Sequence, residues 1–191
     1  MGKIDLITSD DIVTYALTPE EAELVKHHAN LCSLGGRSSV RGLDRQARLN
    51  EDQIFGQCCE LGGWMAFFGR WEGLEKYNQS RERRNKDPWA SDNGNDIEIE
   101  GLVDTLIDVK GSNMRWGSNP LKYNLVYPLK EHNDNTLYIL GLSILEIDTY
   151  YVNIVGWIMG YEMPAPTDFK GYGNRRWLGA ENLQPISELQ L

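Results

Sequence analysis

The pattern of apolar and polar positions predicts helices in the first half of the chain. Thr18 precedes a proline and two glutamates, an order typical of a helix N-terminus, and a helix is expected over residues 19–32. Apolar side chains recur every three or four residues over residues 51–68, and Gly69 is placed to end this second helix. A short helix that frays toward a basic end is expected within residues 70–89.

The second half of the chain has the patterns of β-strands. Residues 96–100 alternate between polar and apolar side chains, and a second strand over residues 106–110 would complete a β-hairpin with a turn near Gly101. Later stretches rich in aromatic and β-branched residues predict further strands, although residues 136–147 are also compatible with a short helix. The tail, residues 175–189, is expected to form loops and single turns packed on the body.

Length and composition favour one globular domain. The chain has 191 residues, of which 41% are hydrophobic, enough for a substantial core. We expect a helical segment and a basic loop over residues 1–50, the core over residues 51–160, and the tail over residues 161–191. Three cysteines, two of them adjacent, do not suggest a disulfide framework, and no apolar run predicts a signal peptide or a membrane span. A cytoplasmic protein is therefore expected.

Charge is segregated along the chain. The formal net charge of −9 argues against a uniformly positive surface that coats nucleic acid. Acidic residues nevertheless concentrate in residues 92–110, while two upstream segments are basic. The basic residues of these two segments are Arg37, Arg41, Arg45 and Arg48, and Arg81, Arg83, Arg84 and Lys86. Either group is suited to contact a phosphate backbone, and either is also compatible with ordinary solvated surface.

The stretch "LIDVKGS" places an acid and a base two residues apart in an apolar run. Because side chains on a strand alternate between faces, Asp108 and Lys110 point one way and Ile107 and Val109 the other. A hairpin would bring Asp96 close to Asp108, and two neighbouring carboxylates repel each other unless a cation lies between them. Oxygen ligands suit Mg²⁺ or Mn²⁺. The simpler alternative is an ion pair on an exposed strand.

The order of these elements resembles the PD-(D/E)XK nuclease superfamily, in its small phage and bacterial type. The resemblance covers residues 51–157 and depends on a helix bearing Glu60, a strand opening with an aspartate, and the D-x-K of "IDVKGS". Asn95 stands where the superfamily's name has proline, so the first aspartate is either Asp96 or Asp92. The resemblance implies an α/β fold with a restriction-endonuclease-like core, a central mixed β-sheet flanked by helices, after an N-terminal helical segment.

The same resemblance implies the roles of the site residues. Asp96 and Asp108 would hold one or two Mg²⁺ ions, for which Mn²⁺ could substitute, and the backbone carbonyl of Val109 would be a further ligand. Glu60 would be an additional carboxylate that reaches the metal directly or through water. Lys110 would orient or help to deprotonate the attacking water and offset charge on the phosphate.

The expected activity is Mg²⁺-dependent hydrolysis of phosphodiester bonds in DNA by metal-activated water, with RNA not excluded and exonuclease or endonuclease action left open. The two basic segments, with Arg175 and Arg176 as a third candidate, would contact the nucleic-acid backbone, and double-strand cleavage would favour a homodimer. Two alternatives stay open. One is a non-catalytic module that binds nucleic acid or protein, and the other is a glycosidase, which would need no metal and gives Lys110 no role.

Overall fold

A computed structural model of the chain describes residues 7–34, 43–86, 96–99, 105–171 and 173–189. Within these residues there are three α-helices: α1 (Pro19–Leu34), α2 (Leu43–Phe68) and α3 (Arg70–Lys86). The strands of the described residues are β1 (Val13–Ala16), β2 (Leu106–Asn113), β3 (Asn124–Pro128), β4 (Thr136–Glu146), β5 (Thr149–Met159), β6 (Thr167–Asp168) and β7 (Asn174–Gly179). Short 3-10 turns lie at Ser9–Asp11, Pro120–Lys122, Leu129–Glu131, Gly160–Glu162, Ala180–Asn182 and Ile186–Glu188.

The strands form two sheets, and the larger one is mixed. Its order is β1-β5-β4-β2, in which β2 runs parallel to β4 and the other pairs are antiparallel. The smaller sheet, β3-β7-β6, is antiparallel. One hydrophobic core lies between the helices and the larger sheet, and a second lies between the two sheets. The expected α/β fold with a mixed sheet flanked by helices is therefore confirmed.

The helices are longer than the pattern predicted. Helix α2 begins at Leu43, eight residues before the predicted start at residue 51, and ends at Phe68 as expected, where Gly69 has a φ of 77°. Its first turns are polar and lack apolar periodicity, but they contain arginine, glutamine, alanine and leucine, which favour helix. Arg45 and Arg48 thus lie on a helix.

The predicted hairpin is not formed over its described part. Residues 96–99 are not a strand; instead the backbone N–H groups of Asp96 and Ile97 both donate to the carbonyl of Ile107, over 2.7 and 3.2 Å. The next donor along β2, the N–H of Val109, bonds to the side chain of Asp96 instead of to a backbone carbonyl. Because a carboxylate takes the place of a backbone acceptor here, the regular ladder of hydrogen bonds between strands does not continue. The expected turn near Gly101 lies outside the described residues.

Two other expectations are settled by the sheets. The stretch that was compatible with a short helix is strand β4, whose first nine residues are all buried. The tail is not only loops and turns, because β7 adds a strand that pairs with β3 and carries Arg175 and Arg176. Among the described helices, none combines the length and the apolar content needed to cross a membrane.

Helix α2 approaches the sheet closely at a pair of small residues. A Cβ added to Gly141 of β4 would lie 2.6 Å from the Cβ of Cys59, a distance that real Cβ atoms do not show. Cys58 and Cys59 are fully buried, as small hydrophobic residues would be, and burial raises the pKa of the Cys59 thiol to about 11. The contact between Gly141 and Cys59 fixes how near the helix and the sheet can come.

This close approach predicts opposite effects for one substitution at two sites. Gly141→Ala should lower the free energy of unfolding by about 1–3 kcal/mol, the usual cost of overpacking. Gly56→Ala, on α2, has no atom within 4 Å of its new Cβ and should raise that free energy by about 0.5–1 kcal/mol. Urea unfolding of both variants measures the two effects, and equal effects of the same sign would contradict this packing.

Candidate functional site

Strand β2 separates its apolar and charged side chains as the sequence predicted. Ile107 and Val109 are buried in the core beneath the helices. Asp108 and Lys110 lie on the opposite face, where the ammonium of Lys110 is 3.1 Å from Oδ2 of Asp108. The same ammonium lies 4.5 Å from the ring centroid of Tyr127 on β3, a cation–π geometry. Because Asp108 is only 5% exposed, this pair is not the exposed ion pair of the simpler alternative.

Asp96 lies at the edge of β2 that does not pair with β4. Its Oδ2 accepts a hydrogen bond of 2.9 Å from the N–H of Val109. In a strand, the N–H and C=O of one residue point to the same side, so the carbonyl of Val109 faces the same edge as the Asp96 side chain. Two of the oxygen ligands that the resemblance implies are thereby brought to one place.

The charge state of Asp108 reflects its surroundings. Burial and then the negative charge of Asp96 raise its pKa, whereas the ammonium of Lys110 and the hydroxyl of Tyr127 lower it, and the net result is a pKa of about 7. The raised value shows that burial and the second carboxylate outweigh the ion pair with Lys110. The negative charge of Asp96 therefore acts on the carboxyl group of Asp108.

Glu60 reaches the same region from helix α2. Its side chain is buried, one oxygen pairs with the guanidinium of Arg81, and the other, Oε1, has no hydrogen-bond partner. Nη1 of Arg84 lies 3.8 Å from Glu60 Oε1 and 3.5 Å from Oδ1 of Asp96. Glu60, Arg81, Asp96 and Val109 together line an open cleft of about 310 Å³. Arg84 is thus the link between two of the three predicted carboxylates.

The predicted nucleic-acid contacts fall into three groups. Arg37 and Arg41 lie outside the described residues, and Arg45 and Arg48 lie on α2, where the structure does not describe their side chains. Arg83 and Lys86 are exposed near the end of α3, and Arg84 is partly exposed beside the cleft.

Arg81 differs from the expectation of a surface contact. Its side chain is buried and pairs with Glu60, because a carboxylate on α2 could not remain buried without a cation from α3.

Arg175 and Arg176, the third candidate contact, lie on β7, and the guanidinium of Arg176 donates to the carbonyls of Met163 and Pro164.

The oxygen atoms of the site are of the type that a hard divalent ion binds. Among the described residues, no group of three or more His, Cys, Asp or Glu side chains is gathered around one point where an ion could bind. Mg²⁺, however, usually takes only one or two protein carboxylates and keeps several waters. Asp96, Asp108 and the carbonyl of Val109 would supply such a set, and the unpartnered Oε1 of Glu60 would accept a hydrogen bond from an ion-bound water.

Tyr127 is the site residue that the sequence reasoning missed. Its ring lies beneath Lys110, and its buried hydroxyl interacts with the carboxyl group of Asp108. Burial, and then the charge of Asp108, raise the pKa of Tyr127. The only signal was the alternation of β3, which places Leu125 and Tyr127 on its buried face. That alternation does not reveal which charged group the tyrosine meets.

Comparisons with known protein families, with curated proteins and with solved structures find no match to this chain. What the site does is therefore argued from its own residues.

The buried pair of Glu60 and Arg81 predicts an unequal effect of two arginine substitutions on one helix. Arg81→Met should lower the free energy of unfolding by about 3–5 kcal/mol, because it leaves the buried carboxylate without its cation. Arg83→Met removes an exposed pair with Glu98 and should cost about 1 kcal/mol or less. Urea unfolding of both variants measures the two losses of free energy. Similar costs would show that Glu60 does not depend on Arg81.

The raised pKa of Asp108 predicts a change of stability with pH. The folded chain keeps this proton up to a pH of about 7, whereas the unfolded chain releases it near 3.8. The folded state therefore binds more protons in this window, and rising pH destabilises it. Asp108→Asn removes the effect, so the Tm of the variant minus that of the wild type, measured with EDTA, should increase from about pH 4 to about pH 7. A constant difference would contradict the assignment.

Proposed function

We propose that this protein is a divalent-metal-dependent nuclease of the PD-(D/E)XK type, with a restriction-endonuclease-like core, that hydrolyses phosphodiester bonds in DNA. The observation that carries the proposal is the consecutive run of Asp108, Val109 and Lys110 on β2. The amide of Val109 holds the carboxylate of Asp96 at the open edge of this strand, and Asp108 pairs with Lys110 on the adjoining face. A mixed sheet flanked by helices supports the same assignment.

The residues of the chain have distinct tasks in this reaction. A bound Mg²⁺ would supply charge for the phosphoryl oxygens and lower the pKa of a water molecule. Asp96 and Asp108 would hold the ion, with the Val109 carbonyl as a further ligand. Lys110, held 3.1 Å from Asp108, would orient or help to deprotonate the attacking water and offset charge on the phosphate. Glu60 would accept a hydrogen bond from a water at the edge of the site.

The surroundings of the cleft are compatible with a polyanionic substrate despite the net charge of −9. Arg83, Arg84 and Lys86 lie in the last turn of α3, beside the segment that carries Asp96. Arg83 and Lys86 are exposed and would contact backbone phosphates on one side of the cleft. DNA is the proposed substrate, and RNA is included among the test substrates.

A second candidate function is a nucleic-acid- or protein-binding module without catalysis. The observation that favours it is that each candidate carboxylate already has an internal cation: Arg81 for Glu60, Arg84 for Asp96, and Lys110 for Asp108. Such a module needs no ion. The two functions differ in a measurable way, because binding of Mg²⁺ or Mn²⁺ to the folded protein alone would raise its Tm, whereas a module without a metal site would show no rise.

The proposed activity predicts strong effects of two single substitutions. With Mg²⁺, the wild type should cleave at least one of single-stranded DNA, double-stranded DNA, branched DNA and RNA, and EDTA should abolish cleavage. Asp108→Asn and Lys110→Met should each lower the rate by about 10²–10³-fold, the scale for loss of one charge-stabilising group. The measurement is cleavage of end-labelled substrates resolved on denaturing gels.

Asp52→Asn provides the matched control, because Asp52 is exposed on α2 and lies outside the cleft. This variant should retain the wild-type rate. Absence of cleavage of all four substrates, or full activity of the Asp108→Asn protein, would overturn the proposed function.

A further inference from the structure

Arg84 is held by the two carboxylates that would have to turn toward an ion. Its Nη1 lies 3.5 Å from Oδ1 of Asp96 and 3.8 Å from Oε1 of Glu60. Its Nη2 donates to the backbone carbonyl of Asp96 over 3.2 Å. The guanidinium therefore occupies the space between Glu60 and Asp96, and it neutralises charge that a divalent ion would otherwise neutralise.

The charges of the site balance without an ion. Within the described residues, the carboxylates of Glu60, Asp96 and Asp108 are matched by three cations when all are ionised. These cations are Arg81, Arg84 and Lys110. A divalent ion that enters this balanced site brings an excess of positive charge into a partly buried place. Such an excess disfavours binding unless a cation leaves or an anion arrives.

Of the three cations, Arg84 is placed to leave. Arg81 is buried against Glu60, and Lys110, although its side chain is 35% exposed, is held between Asp108 and the ring of Tyr127. The side chain of Arg84 is 20% exposed and starts from the last turn of α3, at the rim of the cleft. A long side chain in this position can rotate away from the carboxylates while its guanidinium remains within reach of a phosphate bound over the cleft.

We propose that Arg84 is the resident cation of the metal-free site, and that it exchanges the carboxylates of Glu60 and Asp96 for a substrate phosphate when the metal binds. This inference rests on the proposed function. Arg84 is in this view a positioning residue that couples two ligands: the metal releases the guanidinium from its carboxylates, and the phosphate gives it a new anionic partner. Linkage then requires that each ligand strengthens the binding of the other by the same factor.

The coupling can be measured without any cleavage. The probes are Mn²⁺, whose free concentration is read from its EPR signal, and thymidine 5′-monophosphate, which carries a phosphate but no phosphodiester to hydrolyse. The Kd of Mn²⁺ is measured with and without the nucleotide, for the wild type and for Arg84→Met. The nucleotide should tighten Mn²⁺ binding by the wild type.

Arg84→Met should bind Mn²⁺ about tenfold more tightly than the wild type without nucleotide, the scale for removal of one unit charge beside a divalent ion. The nucleotide should then tighten Mn²⁺ binding by the variant less than it does for the wild type. Lys76→Met is the matched control, because it removes one positive charge from the same helix, where Lys76 pairs with Glu72 instead of Glu60 or Asp96. Its Kd values should equal those of the wild type.

Each other outcome overturns the inference, and the outcomes distinguish it from the proposed function. If the wild type and Arg84→Met bind Mn²⁺ equally well, or if Lys76→Met shows the same gain, Arg84 has no special role although the metal site stands. If Arg84→Met binds more weakly, the guanidinium supports the site instead of competing with the ion. If no variant binds Mn²⁺, both the inference and the metal site of the proposed function are wrong.

Discussion

The hydrogen bond from the amide of Val109 to the carboxylate of Asp96 is the constraint on which the site depends. It uses a donor on the edge of β2 that a further strand would otherwise have taken. A side chain in this position keeps the edge open to the cleft and fixes one carboxylate beside the strand that carries the other. Val109, the middle residue of "DVK", thereby ties Asp96 to the strand that carries Asp108 and Lys110.

The charges around this edge show how the fold tolerates three carboxylates in a small volume. Burial of a carboxylate without a partner is costly, and the negative charge of each of the three is compensated by a different group. Glu60 is paired by a buried arginine, Asp96 by the strand amide and Arg84, and Asp108 by Lys110. Lys110 does not fully compensate Asp108, since burial and the charge of Asp96 leave its pKa at about 7. A divalent ion would relieve this repulsion.

Local pattern was enough to predict several of these features. Alternation along β2 separates Ile107 and Val109 from Asp108 and Lys110, and the end of α2 follows from Gly69, because both depend on neighbours in sequence. The pairing of β2 was not predictable in the same way. Within the described part of the chain its strand partner is β4, in parallel, and this pairing depends on contacts about 30 residues away.

The cations of the site were beyond sequence reasoning for a similar reason. Arg81, Arg83 and Arg84 are neighbours in one basic run, yet the first is buried against Glu60, the second is exposed and the third links two carboxylates. Arg81 and Arg84 are three residues apart and share a face of α3, whereas Arg83 lies on another face. That the shared face meets Glu60 depends on how α3 packs against α2, which no local pattern encodes. Charge segregation alone would assign all three to one surface.

The central claim is that the edge of β2 is a divalent-cation site. Anomalous diffraction from crystals soaked in Mn²⁺ tests it most directly, because the manganese signal locates the ion without reference to activity. The account predicts one or two peaks bound by the carboxylates of Asp96 and Asp108 and by the carbonyl of Val109. No peak at this edge, with Mn²⁺ bound elsewhere or not at all, would contradict it.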